Sequence, residues 1–137
     1  MGDLHRSTGV LVVEDNDLVA ATLEAVLLDL GFCEVYLAPD LSTGRTLLQE
    51  RRPGLGVLDV NIGRTLVFPL AQDLREQRIP IVFATGLQRP DFPSEWLTHP
   101  IVPKPFSKAT LVLALHAAGF DLGAANDPRR PEPQLPH

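Results

Sequence analysis

Two adjacent carboxylates, Glu14-Asp15, stand directly after the apolar run Val10-Leu11-Val12-Val13. A third, Asp59, follows the run Leu55-Gly56-Val57-Leu58. Thr85 follows the run from Ile79 to Ala84, and Lys104 follows the short run Ile101-Val102. If these runs are parallel strands of one sheet, the polar residues meet at its carboxyl edge. Open α/β sheets bind ligands in the crevice beyond those strand ends. Three carboxylates that meet repel one another and raise one another's pKa values unless something positive compensates. A hard divalent ion such as Mg²⁺ takes one or two carboxylates together with waters and phosphate oxygens. Lys104 adds a mobile point charge, and Thr85 a hydroxyl donor. That set suits phosphoryl transfer, in which the protein mostly positions groups and offsets charge. A carboxylate can accept the group as an acyl phosphate, and Asp59 is the candidate nucleophile.

The elements that must position these residues are legible as alternating patterns. The run at 10–13 suits a central parallel strand covered on both faces. Val19, Leu23, Val26, Leu27 and Leu30 form one face of a helix stopped by Gly31. Cys33 to Leu37 alternates as a half-exposed edge strand does, with Cys33 expected to be buried. Ser42 is a candidate cap for a second helix carrying Leu47 and Leu48. A third strand at 55–58 leads to a third helical stripe of Val67, Leu70, Ala71 and Leu74, with Pro69 in its first turn. Ile79 to Ala84 is a fourth strand with Pro80 at its start, where proline is tolerated. Ile101-Val102 is a short fifth. Ser107 caps a last helix of Leu111, Val112, Leu115 and Ala118, closed by Gly119. Strands alternating with helices predict a parallel α/β sheet with helices on both faces.

One segment breaks the rhythm. Residues 86–100 contain Pro90, Pro93 and Pro100 and no clean helical stripe, so they read as a loop or one helical turn. Phe92 and Trp96 are expected to anchor that loop to the core. The domain is expected to span 8–119. The proline-rich stretch 120–137 is expected to be a disordered tail.

Composition narrows the field. The chain has 137 residues, enough for one domain with a real core. A net charge of −5 argues against a nucleic-acid surface. One cysteine rules out an internal disulfide and a cysteine-based zinc site. No apolar run reaches the length of a membrane helix. The polar start is no signal peptide, so a cytoplasmic location is expected. Only two lysines are present, Lys104 and Lys108, which singles out Lys104 as the site's cation.

Four segments taken in order resemble the receiver domain of two-component response regulators. They are Val10 to Asn16, Leu58-Asp59-Val60-Asn61, Ala84-Thr85-Gly86 and Lys104-Pro105-Phe106. The resemblance covers about residues 8–119. More narrowly, Phe83-Ala84-Thr85-Gly86 resembles an atypical, often single-domain receiver subfamily with a Phe-Ala-Thr-Gly motif. The resemblance implies a flavodoxin-like, doubly wound five-stranded parallel sheet in the order 2-1-3-4-5, here with helix four shortened or absent. It implies phosphorylation at Asp59, with Thr85 and Lys104 touching the phosphoryl group. It implies Mg²⁺ held by Asp15, Asp59 and the backbone carbonyl of Asn61, with Glu14 acting through a water. The Lys104-Pro105 bond is then expected to be cis. The implied donor is a histidine kinase or a histidine phosphotransfer protein, and the implied output is contact with a downstream protein, not enzymatic turnover. Exposed helix faces are compatible with a homodimer. Ile101 departs from the family pattern, which has Tyr or Phe at that position, three before the lysine.

Other readings stay open at this level. The fold could be kept by a binding-only pseudo-receiver, or serve as a phosphate sink or shuttle. Asp15 or Asn16 could simply cap the first helix, and Asp59 could be a turn residue. Ser42-Thr43-Gly44-Arg45-Thr46 lacks the leading glycine and the lysine of a P-loop. Asp59-Val60-Asn61 lacks the second aspartate of haloacid-dehalogenase-like phosphatases. His5, His99, His116 and His137 show no ligand spacing.

Overall fold

The computed structural model describes residues 7–86 and 92–122. Five strands form a parallel sheet: β1 (Gly9–Val13), β2 (Glu34–Ala38), β3 (Leu55–Leu58), β6 (Ile81–Thr85) and β7 (Ile101–Pro103). A separate antiparallel ribbon, β4 (Asn61–Ile62) and β5 (Thr65–Leu66), follows β3. Four helices pack on the sheet: α1 (Asp17–Asp29), α2 (Leu41–Arg51), α3 (Phe68–Glu76) and α4 (Lys108–Ala117). The strand order is β2-β1-β3-β6-β7. Counting sheet strands alone, that is the 2-1-3-4-5 order of a flavodoxin-like doubly wound fold, as expected.

Alternation along β1 divides the interior into two layers. Val10 and Val12 face α1 and α4, where Leu23, Leu27, Leu111, Val112 and Leu115 complete the packing. Leu11 and Val13 face α2 and α3, against Leu48, Leu70, Ala71 and Leu74. These four β1 residues are fully buried, as a strand covered on both faces requires. Truncating one of the core leucines to alanine costs about 2–5 kcal/mol in such settings. Gly56 on β3 permits the close approach of α3, because a Cβ there would run into Leu74 Cδ2.

Several local expectations are corrected. Asp40, not Ser42, caps α2: its Oδ1 accepts the Thr43 N–H at 2.7 Å, because the helix begins one residue before Ser42. Cys33 is exposed and precedes β2, which begins at Glu34. The fourth sheet strand begins at Ile81, and Pro80 contributes only its carbonyl, which accepts the Gly56 N–H at 2.9 Å. Phe120 and Leu122 belong to the packed body: Leu122 is buried, and Phe120 meets Phe32 edge-on at 5.5 Å. The rest of the expected tail, 123–137, lies outside the described residues, as do His5, Pro90 and His137. Ser107 does cap α4, in a reciprocal box with Thr110.

Between β6 and β7 the described residues form one 3₁₀ turn, Ser94–Trp96, and no α-helix. Aromatic packing holds this segment down. Trp96 is buried and stacks on Phe68 at 5.7 Å, while Phe92 meets Phe83 edge-on at 5.4 Å. The Arg75 guanidinium lies 4.1 Å from the centre of the Trp96 ring, joining the segment to α3.

Candidate functional site

The sheet delivers the expected residues to one edge because its backbone ladders run into the loops. The Glu14 N–H bonds to the Ala38 carbonyl at 3.0 Å and the Asp59 N–H to the Val13 carbonyl at 2.9 Å. Those bonds place Glu14 and Asp59 side by side, just past the ends of β1 and β3. Thr85 is the last residue of β6 and is buried. Its carbonyl accepts the Lys104 N–H at 3.0 Å, so the backbones at 85 and 104 are adjacent. The Lys104-Pro105 bond is cis.

Asn16 is the residue that caps α1, its Oδ1 accepting the Leu18 and Val19 N–H groups at 3.0 and 3.1 Å. Asp15 is therefore not spent on the helix. Carboxylate oxygens of Glu14, Asp15 and Asp59 lie within 4.8 Å of one another. Three hard oxygen donors at that spacing fit a divalent cation such as Mg²⁺. Asn61, two residues past Asp59, is exposed on the first strand of the ribbon.

Lys104 crosses to this cluster. Its Nζ donates to Glu14 Oε1 at 2.5 Å and to Asp59 Oδ2 at 2.9 Å. The Glu14 side chain is only 2% exposed, that of Asp59 11% and that of Lys104 23%. Burial pushes the Glu14 carboxyl above its ordinary range, although hydrogen bonds from Lys104 and from the Asn16 N–H pull against this. Burial alone would lower the Lys104 ammonium, but its bonds to Glu14 and Asp59 outweigh that and hold it above its usual value. The Gly63 N–H holds the Asp15 carboxyl below the usual carboxylate range.

The ribbon is the feature that sequence reasoning missed. Gly63 N donates to Asp15 Oδ2 at 2.8 Å, across 48 residues of sequence. A signal was present: Gly63-Arg64 between two short β-compatible pairs is a two-residue hairpin loop with glycine first.

The fold and this edge define a class, the doubly wound sheets that carry an acidic site at the strand ends. Within it, residues 10–116 match the family model of the response regulator receiver domain, and the chain belongs to that family. Solved structures agree. The solution structure of SdrG from Sphingomonas melonis Fr1 is 31% identical, with a TM-score of 0.74, covering 82% of this chain and 97% of that one. The chemotaxis response regulator CheY4 of Vibrio cholerae is 25% identical, TM-score 0.71, covering 82% and 98%. The anti-anti-sigma factor PhyR from Bartonella quintana is 28% identical, TM-score 0.66, covering 82% of this chain and 46% of that one. A search of curated proteins finds no match. No helix among the described residues is long and apolar enough to cross a membrane.

Proposed function

We propose that this receiver accepts a phosphoryl group on Asp59 from a phosphohistidine donor, in a Mg²⁺-dependent step. The observation that carries the reading is the meeting of Glu14, Asp15 and Asp59 with the Lys104 ammonium between two of them. Asp15, Asp59 and the Asn61 carbonyl would hold the ion, with Glu14 reaching it through a water. When bound, Mg²⁺ supplies positive charge that offsets the oxygens of the transferring group. The rest is done by the chain. An Asp59 carboxylate oxygen forms the new P–O bond while the donor's P–N bond breaks, and the imidazole leaves with the electron pair. Lys104 stays within reach of Asp59 and neutralises charge as it develops. Thr85, at the end of β6, would donate its hydroxyl to a phosphoryl oxygen.

The donor is then a histidine kinase or a histidine phosphotransfer protein. The output is a contact with another protein, a reading supported by the likeness to part of an anti-anti-sigma factor. The Phe83-Ala84-Thr85-Gly86 run supports a place in the atypical single-domain subfamily. The test is intact mass after incubation with Mg²⁺ and a small-molecule phosphodonor. One phosphoryl-sized gain that disappears in Asp59→Asn is expected. No gain, or a gain that survives the substitution, would overturn the reading.

A further inference from the structure

The β4–β5 ribbon starts at Asn61, whose carbonyl the proposed function uses, but the rest of the ribbon is not accounted for by that one ligand. Its root is part of the core: Val60 and Val67 are fully buried, Ile62 is 5% exposed, and the Val67 N–H bonds to the Val60 carbonyl at 2.8 Å. Its tip is exposed and reaches back to the β1–α1 loop, where the Gly63 N–H meets Asp15 Oδ2 at 2.8 Å. Gly63 has a φ of +62°, and nothing lies within 4 Å of where its Cβ would stand. Glycine is thus favoured there by backbone conformation, not by space.

Asp15 differs from its two neighbours in the cluster. Glu14 and Asp59 are shielded and share the Lys104 ammonium, whereas Asp15 is exposed on a short loop. A carboxylate in that setting must be ordered before it can help hold an ion, and that ordering opposes binding. The Gly63 N–H fixes one carboxylate oxygen in advance, so the carboxylate can meet a cation through the other.

We infer that the ribbon is a positioning element for the cation and that Gly63 acts through Asp15. The inference rests on the receiver reading, since it takes Mg²⁺ as the ion. Partners one step removed from an ion typically change affinity by about 10–100-fold when lost, and a partly retained contact by less. Alanine disfavours positive φ, whereas asparagine tolerates it.

The experiment is a Mg²⁺ titration followed by amide NMR for the native protein, Gly63→Ala and Gly63→Asn. The expected result is about threefold to tenfold weaker binding in Gly63→Ala, with Gly63→Asn within about twofold of native. Unchanged or tighter binding in Gly63→Ala overturns the inference, because the ribbon is then passive or competes with the ion. Hydrogen exchange at the Gly63 amide of the native protein gives a second measurement that needs no folded variant. Protection that persists at saturating Mg²⁺ supports the inference, and protection lost on binding overturns it. Native protein that binds no Mg²⁺ overturns the proposed phosphoacceptor function and this inference together. Native binding with an indifferent Gly63→Ala overturns the inference alone.

Discussion

Lys104 Nζ lies 2.5 Å from Glu14 Oε1, so the most deeply buried carboxylate of the site is paired with its ammonium. The same ammonium holds Asp59 at 2.9 Å, which makes it a bridge between two carboxylates. A bridging cation stabilises the metal-free protein as well as any later chemistry.

Replacing it should therefore cost stability before it costs function. Lys104→Met leaves Glu14 and Asp59 facing each other with no cation. A loss of about 1–3 kcal/mol at neutral pH is expected in urea denaturation, because a buried charge has lost its partner. Glu14→Gln introduced into the Lys104→Met background should recover part of that loss. Equal effects of Lys104→Met with Glu14 and with Gln at position 14 would show that the pair is not coupled.

Glu14 also predicts a pH dependence. Burial raises its folded pKa above the ordinary 4.5. Above 4.5 the folded state then holds more protons at this site than the unfolded state. Its contribution to stability therefore falls as pH rises from 4.5 through the folded value, and falls no further beyond it. The difference in unfolding free energy between Glu14→Gln and the native protein should shift in the variant's favour over that window. A difference independent of pH would contradict this.

His99 predicts the opposite slope. It is tilted against Trp96 at 5.3 Å and edge-on to Phe83 at 6.0 Å. Burial, and to a lesser degree the Arg75 charge, lowers its pKa below 6.5. The unfolded state then binds the proton more readily, so stability is lost as pH falls from 6.5 through the folded value. His99→Gln should flatten that part of the profile, as read from thermal midpoints on either side of 6.5.

The Arg75 contact with Trp96 should be worth about 0.5–2 kcal/mol, the range for a partly exposed cation over an indole face. Arg75 also donates to Gln72 and, at 3.4 Å, to Glu95 beside the tryptophan. Arg75→Ala should lower the urea midpoint and shift the Trp96 indole resonance, while backbone resonances of α1 stay in place. An unmoved indole resonance would show that the guanidinium does not hold the ring.

Much of this architecture was legible because short unbroken apolar runs, bounded by polar and turn residues and alternating with helical stripes, suit buried parallel strands. Val10 to Val13 is apolar without a break, and polar residues begin where the strand ends at Glu14. The meeting of Glu14, Asp59, Thr85 and Lys104 at one sheet edge was legible for the same reason, since strand ends name their own positions. What escaped was decided by contacts distant in sequence. Nothing near Asp15 announces that Gly63 will reach it, and the two-residue strands of the ribbon are too short for periodicity to register. The α2 start was misplaced by two residues because Asp40 and Ser42 are both good caps and the backbone can use only one. Phe120 and Leu122 escaped because two apolar residues after a glycine stop carry no helical pattern, yet the α1–α4 layer still had room for both.

The aromatic packing beside α3 has one further consequence. Trp96 is the chain's only tryptophan, and it lies in the layer formed with α2 and α3. The opposite layer, around Leu23 and Leu115, contains no indole. Intrinsic fluorescence excited at the indole band is thus a one-sided reporter. It registers rearrangement beneath Arg75 and is blind to repacking of α1 against α4, so the protein carries a label for one of its two halves without modification.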